Sequence, residues 1–180
     1  LQRQIEQGAP VDIFISAAHK QMDELEKQDL ILPETRQDLF SNALVLIAGK
    51  DNDVIAGLDA LTGDAVSTIA LAIPDTAPAG QYTKEALVNL GLWGTLENKL
   101  VMAKDVKQVL TYVETGNADA GFLYRSDALS SDKVKIVESL SPELHEPVVY
   151  PVAIVKEAPN KEEAQAFLTY LKSQRAGEIF

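Results

Sequence analysis

Short apolar runs alternate with helix-patterned stretches along almost the whole chain, and that alternation constrains the fold more than any single residue does. Runs at 11–15, 39–48, 67–73, 118–124, 134–139 and 148–156 have the length and apolar character of strands. Helical patterns cover 1–7, 18–27, 54–61, 81–90, 106–114 and 161–180, with a single helical turn at 127–129. In the second of these, Met22 and Leu25 face inward. Asp105 is placed to cap the helix at 106–114, and Gly116 to stop it. Strands separated by helices predict an α/β chain with a mostly parallel sheet.

Composition narrows the function. With 46% hydrophobic and 24% charged residues the chain has ordinary globular composition, and 180 residues suffice for one domain or two small lobes. A net charge of -11 argues against nucleic acid and against anionic membrane surfaces as partners. There is no cysteine, so disulfides, thiolate zinc sites and thiol nucleophiles are excluded. The sequence holds neither a membrane-spanning apolar run nor a signal peptide, and residues 1–6 read as the body of a helix without a cap. We therefore expect a segment whose natural N-terminus lies further upstream. His19 and His145, the only histidines, stand among charged neighbours and are expected on the surface, away from chemistry. Asp23-Glu24-Leu25-Glu26 lacks calcium-loop spacing and reads as a solvated helix face.

Residues 74–93 carry the chemistry. A turn on Pro78-Ala79-Gly80 is expected to feed a helix that begins near Gln81. A helix start leaves backbone N–H groups unpaired at the positive end of the dipole, where an anion can be held without a charged side chain. No nucleotide-loop glycine pattern is present. Taken alone, the stretch is better read as an ordinary capped surface helix.

Several further blocks appear in order. They are Arg3-Gln4-Ile5-Glu6-Gln7-Gly8-Ala9-Pro10-Val11-Asp12-Ile13-Phe14-Ile15-Ser16-Ala17, Asn42-Ala43-Leu44-Val45-Leu46-Ile47-Ala48, Asp105-Val106, Gly121-Phe122-Leu123-Tyr124-Arg125-Ser126-Asp127-Ala128, Tyr150-Pro151-Val152-Ala153 and the closing Glu178-Ile179-Phe180. With the Pro78-Ala79-Gly80-Gln81-Tyr82-Thr83-Lys84-Glu85-Ala86-Leu87 stretch, this series resembles the molybdate-binding proteins that serve bacterial ABC importers.

The resemblance implies a two-lobe periplasmic-binding-protein fold that holds a tetrahedral oxyanion between its lobes. One lobe would comprise 1–42 and 150–180, the other 43–149, with crossover strands near 43–48 and 148–155. The implied ligand contacts are the backbone N–H groups of Ala79 and Val106 and the hydroxyl of Tyr124. Arg125 follows Tyr124 and invites an anion role, but its position varies in the family's pattern, which implies an exposed arginine instead. Ala79 and Val106 stand at expected helix starts, and Tyr124 at a strand end, where open α/β sheets bind ligands. Val106 could instead be merely the first core residue of its helix, and Tyr124 a core tyrosine with a wet hydroxyl. The family's two serine contacts, and the first lobe's opening strand, helix and strand, would precede Leu1. The second lobe would then be complete and the first incomplete. Such a segment is expected to self-associate through 1–42 and the terminal helix, and to bind the oxyanion weakly.

The implied ligand is molybdate, and tungstate with it. The implied partner is the membrane permease of an ABC importer, with a periplasmic or surface-anchored location and no cofactor or enzymatic role. Two other classes use the same architecture: the effector-sensing domain of a transcription regulator, and a dehydratase- or deaminase-like enzyme. The first would need a DNA-binding segment before Leu1. The second would need a catalytic acid, base or nucleophile, and no such set stands out in the sequence.

Overall fold

The apolar run at 39–48 is not one strand. Asn42 and Ala43 break it into two, and the halves belong to different sheets. The computed structural model describes residues 1–16 and 18–177, so Ala17 of the opening block and Glu178, Ile179 and Phe180 of the closing one lie outside the described residues. In chain order the elements are α1 (Gln2–Glu6), β1 (Ile13–Ile15), α2 (His19–Lys27), β2 (Gln37–Ser41), β3 (Leu44–Gly49), β4 (Ile69–Ala72), α3 (Pro78–Asn89), α4 (Trp93–Leu96), β5 (Leu100–Ala103), α5 (Val106–Glu114), β6 (Ala120–Tyr124), α6 (Arg125–Leu129), β7 (Val134–Ser139), β8 (Val149–Ile154), α7 (Lys161–Leu171) and α8 (Gln174–Gly177). They form two compact units, one of Leu1–Ser41 with the chain from Val148 onward, the other of Asn42–Pro147.

The first unit has a three-stranded sheet in the order β1-β8-β2, with β8 antiparallel to both neighbours. Ile5, Phe14, Met22, Leu25, Ile31, Ala153 and Val155 pack together as one apolar cluster. Val152, Ile154, Ala158, Ala164 and Leu168 form a second, so β8 contributes alternate residues to each. Arg36 reaches from the start of β2 to Asp23 and Glu26, one turn apart on α2. Burial alone would lower the pKa of this guanidinium, but its hydrogen bonds to the two carboxylates, with their charges, raise it overall. The acidic face of α2 thus has a partner, where the sequence suggested solvent alone.

The second unit has a five-stranded sheet in the order β5-β4-β6-β3-β7. β4 is parallel to β5 and to β6, whereas β3 is antiparallel to both β6 and β7. Four strands therefore share one direction, and β3 is inserted against them. The expectation of mostly parallel pairing fails at β3 and at β8 for one reason. Each enters its unit directly from the other, without the helical crossover that makes successive strands parallel. The sheet is deeply buried: every residue from Leu44 to Ala48 and from Ile69 to Ala72 is 0% exposed.

Other differences from the sequence reading are local. α3 begins at Pro78, three residues earlier than expected, because Ala77 is extended and a proline is preorganised for the first helical position. The helix expected at 54–61 is a short 3-10 segment, Leu58–Thr62, since Asn52 Oδ1 takes the N–H groups of Val54 and Ile55 in a side-chain turn. The closing helix stops at Leu171, and Ser173 Oγ accepts the Ala176 N–H at the start of α8. His145 is buried at 7% exposure, contrary to expectation, with its ring 5.8 Å from that of Tyr82. The segment around it is tied to α3: Asn89 Nδ2 donates to Leu144 O, and Glu85 accepts the Glu146 N–H. Among the described residues no helix is long and apolar enough to cross a membrane.

Candidate functional site

β5, β4 and β6 are sheet neighbours running in one direction, and each leads from its C-terminal end into a helix: α5, α3 and α6. Ala79 is the second residue of α3, Val106 the first of α5, and Tyr124 the last of β6 and the N-cap of α6. The three residues read from the sequence thus belong to adjacent strand-to-helix junctions on one edge of one sheet. That edge is where ligands settle in open α/β sheets.

Local packing fixes each junction. In α3, a Cβ on Gly80 would lie 2.1 Å from Ala72 O at the end of β4, so only glycine lets the first turn approach the strand this closely. Pro78 has no N–H to satisfy, and the first donors of α3 are therefore the N–H groups of Ala79 and Gly80. Thr83, fully buried, donates its hydroxyl to Ala79 O at 2.7 Å and holds that residue from behind.

In α5, Asp105 Oδ1 accepts the Gln108 N–H at 2.9 Å, as expected for the cap. Gln108 in turn accepts the Lys104 N–H at 2.7 Å through Oε1. These two bonds engage the main chain on either side of Val106 and direct no acceptor to its own N–H. Gly121 in β6 lets α5 close in, since a Cβ there would meet Val109 at 2.8 Å and Val113 at 3.0 Å.

Tyr124 is half-buried and extended, and it pairs with Leu44 across β3. Arg125 is exposed, with its N–H donating to Ala43 O at 2.8 Å, in keeping with the sequence reading. Asp127, one turn into α6, has its carboxyl pushed above the usual range by burial, an effect its own backbone N–H and the Lys107 charge only partly offset.

The chemistry available here is donation by neutral groups. No cluster of three or more metal-ligating His, Cys, Asp or Glu is found among the described residues. A separate open depression of about 400 Å³ lies over the outer face of α3, lined by Gln81, Lys84, Glu85, Val88, Asn89 and Glu146, and it includes none of the three candidate donors. Sequence reasoning did not find Gly80, Thr83 or Gly121 as positioning residues. Thr83 carried a signal, lying one helical turn after Ala79, but the two glycines declare their role only through strands distant in sequence.

The family described as bacterial extracellular solute-binding protein matches residues 1–180. The putative ABC transporter substrate-binding lipoprotein YvgL of Bacillus subtilis is 43% identical over 100% of this chain and 69% of its own length. The molybdate-binding protein ModA of Escherichia coli is 42% identical over 100% of this chain and 72% of its own. Among solved structures, the substrate-binding domain of a putative molybdenum ABC transporter from Clostridium difficile superposes with a TM-score of 0.93 at 46% identity, covering 99% of this chain and 78% of that one. These similarities bear out the resemblance read from the motifs and the fold class that it implied.

Proposed function

The chain belongs to the bacterial extracellular solute-binding protein family, and from that premise we propose that it is the molybdate-binding component of an ABC importer, taking tungstate as well. The observation that supports this reading is the place of Ala79, Val106 and Tyr124 at adjacent strand-to-helix junctions, from which two main-chain N–H groups and a phenol hydroxyl would serve as neutral donors. Helix N-termini hold oxyanions through unpaired N–H groups and the dipole behind them. The net charge of -11 is no obstacle, because exposed charges beyond about 10 Å are screened while oriented amides act at contact distance.

Neutral donors suit capture and release. A buried lysine would have to be desolvated and would add charge that a reversible carrier does not need. Selectivity over sulfate follows from size, since donors anchored in rigid helix starts cannot contract around a smaller tetrahedron. Molybdate and tungstate are alike in size and charge, and both are accepted. No bond is made or broken, and the partner that receives the anion is the importer's membrane permease. The location is periplasmic, or extracellular and membrane-anchored.

Calorimetric titration of the full-length gene product with molybdate, tungstate and sulfate tests this reading. Saturable binding of the first two and none of the third is expected. Equal affinity for sulfate, or no binding of any of them, would overturn it.

Self-association of this 180-residue chain through its first unit is a separate proposal. It is favoured by Ile15 on the edge strand β1 and by Phe167 and Tyr170 on α7, which are 42%, 50% and 44% exposed. Sedimentation of this chain should show a dimer or larger species, and a strictly monomeric result removes the idea.

A further inference from the structure

Asn42 is the first residue of the unit that carries the three candidate donors, and it is bonded to the turn that follows one of them. Its amide orientation is set by its neighbour. The Ala43 N–H donates to Asn42 Oδ1 at 2.9 Å, and an N–H must face the oxygen, so Nδ2 points the other way. That Nδ2 donates to Ser126 Oγ at 2.9 Å. One residue on, Ala43 O accepts the Arg125 N–H at 2.8 Å, and Leu44 then stands opposite Tyr124 in the β3–β6 ladder. Residues 42, 43 and 44 thus meet 126, 125 and 124 in turn. The side chain of Asn42 carries the antiparallel pairing one step beyond the last main-chain bond.

That extra step falls where the structure needs it. Tyr124 is the final residue of its strand, and α6, which follows, is five residues long with no side-chain cap bond of its own. A helix that short does not hold itself in place. A donor, however, must stay within a few tenths of an ångström of its working position.

We propose that Asn42 is a positioning residue for oxyanion binding. Through Ser126 it pins the first turn of α6 and so sets where the Tyr124 hydroxyl points. The inference rests on Tyr124 being a ligand donor, as in the functional reading above.

The test is a double-mutant cycle on the full-length gene product, with molybdate affinity measured by calorimetry and the unliganded melting temperature recorded alongside. Asn42→Ala should weaken molybdate binding by about 3- to 10-fold, the effect of misaligning one hydrogen bond to a charged ligand. In a Tyr124→Phe background the same substitution should change affinity by less than about 2-fold, because no hydroxyl remains to be aimed. Ser126→Ala, which deletes a single exposed atom, should reproduce the Asn42→Ala loss, and combining the two should add nothing. An unchanged affinity in both Asn42→Ala and Ser126→Ala overturns the proposal. So does an equal fold-loss with and without the Tyr124 hydroxyl, which would place the effect on the unit as a whole. Failure of the wild-type protein to bind molybdate removes the functional reading and this inference with it. Normal wild-type binding with an indifferent Asn42 removes the inference alone.

Discussion

The two units of this chain hold themselves together differently. In the second, β3, β4 and β6 are buried almost end to end, and Val45, Ile47, Ala70, Ala72, Val109, Val113 and Leu123 pack as one cluster spanning sheet and helices. In the first, only the central strand β8 is largely buried, while β1 and β2 present partly exposed residues. That unit also carries four of the five lysine or arginine ion pairs found among the described residues, three of them between groups at least one of which is more than 40% exposed. Burial of apolar surface stabilises far more than exposed ion pairs do. The lesson is functional. The candidate donors sit on the unit with the more completely buried sheet, as the proposed selection of anions by size would require.

The largest effect should come from opening that core. Phe122 is among the largest fully buried side chains, and Phe122→Ala should lower stability by about 3–5 kcal/mol, measured by denaturant titration. A loss below about 1 kcal/mol would erase the contrast between the units. Next comes the site. Tyr124→Phe should weaken molybdate binding by about 1.5–3 kcal/mol, since one charge-assisted hydrogen bond to the anion is lost while the ring remains. An unchanged dissociation constant would take Tyr124 out of the site.

A smaller effect is expected in the first unit. Arg36→Met removes the bonds to Asp23 and Glu26 and should cost about 1 kcal/mol or less, shrinking further in high salt. A loss matching that of Phe122→Ala would show that this unit depends on its ion pairs far more than their exposure suggests. The smallest effect concerns pH. The Asp127 carboxyl is shifted up by burial, so the folded state holds its proton more tightly than the unfolded chain does. Its contribution is therefore most favourable below about pH 4, the ordinary aspartate value, and is lost as pH rises through the higher folded-state value. Asp127→Asn should slightly raise the melting temperature at pH 7 relative to wild type, and the gain should vanish by pH 3. A gain that persists at pH 3 would assign the effect to something other than ionisation.

Legibility from sequence followed the range of the forces involved. α5 was readable in full because Asp105, the apolar stripe and Gly116 with its positive φ all lie within one short stretch. The break at Asn42 was hidden, because it falls inside an apolar run and is decided by pairing with strands about eighty residues away. β5 escaped notice because Leu100-Val101-Met102-Ala103, although apolar throughout, is only four residues long and follows directly on the polar Glu97-Asn98-Lys99. His145 was misplaced because its charged neighbours, Glu143 and Glu146, lie at the surface while its own ring turns in against Tyr82. For the candidate site, helix starts and a strand end were visible, but their assignment to adjacent junctions needed the strand order.

The central claim is that neutral main-chain donors on this sheet edge hold the anion. Amide nitrogen–proton correlation spectra of the full-length gene product, recorded as molybdate is added, test it most directly. The account predicts that the Ala79 and Val106 resonances shift furthest and saturate together, while sulfate leaves them in place. Saturating shifts confined to other amides, with Ala79 and Val106 unmoved, would contradict it.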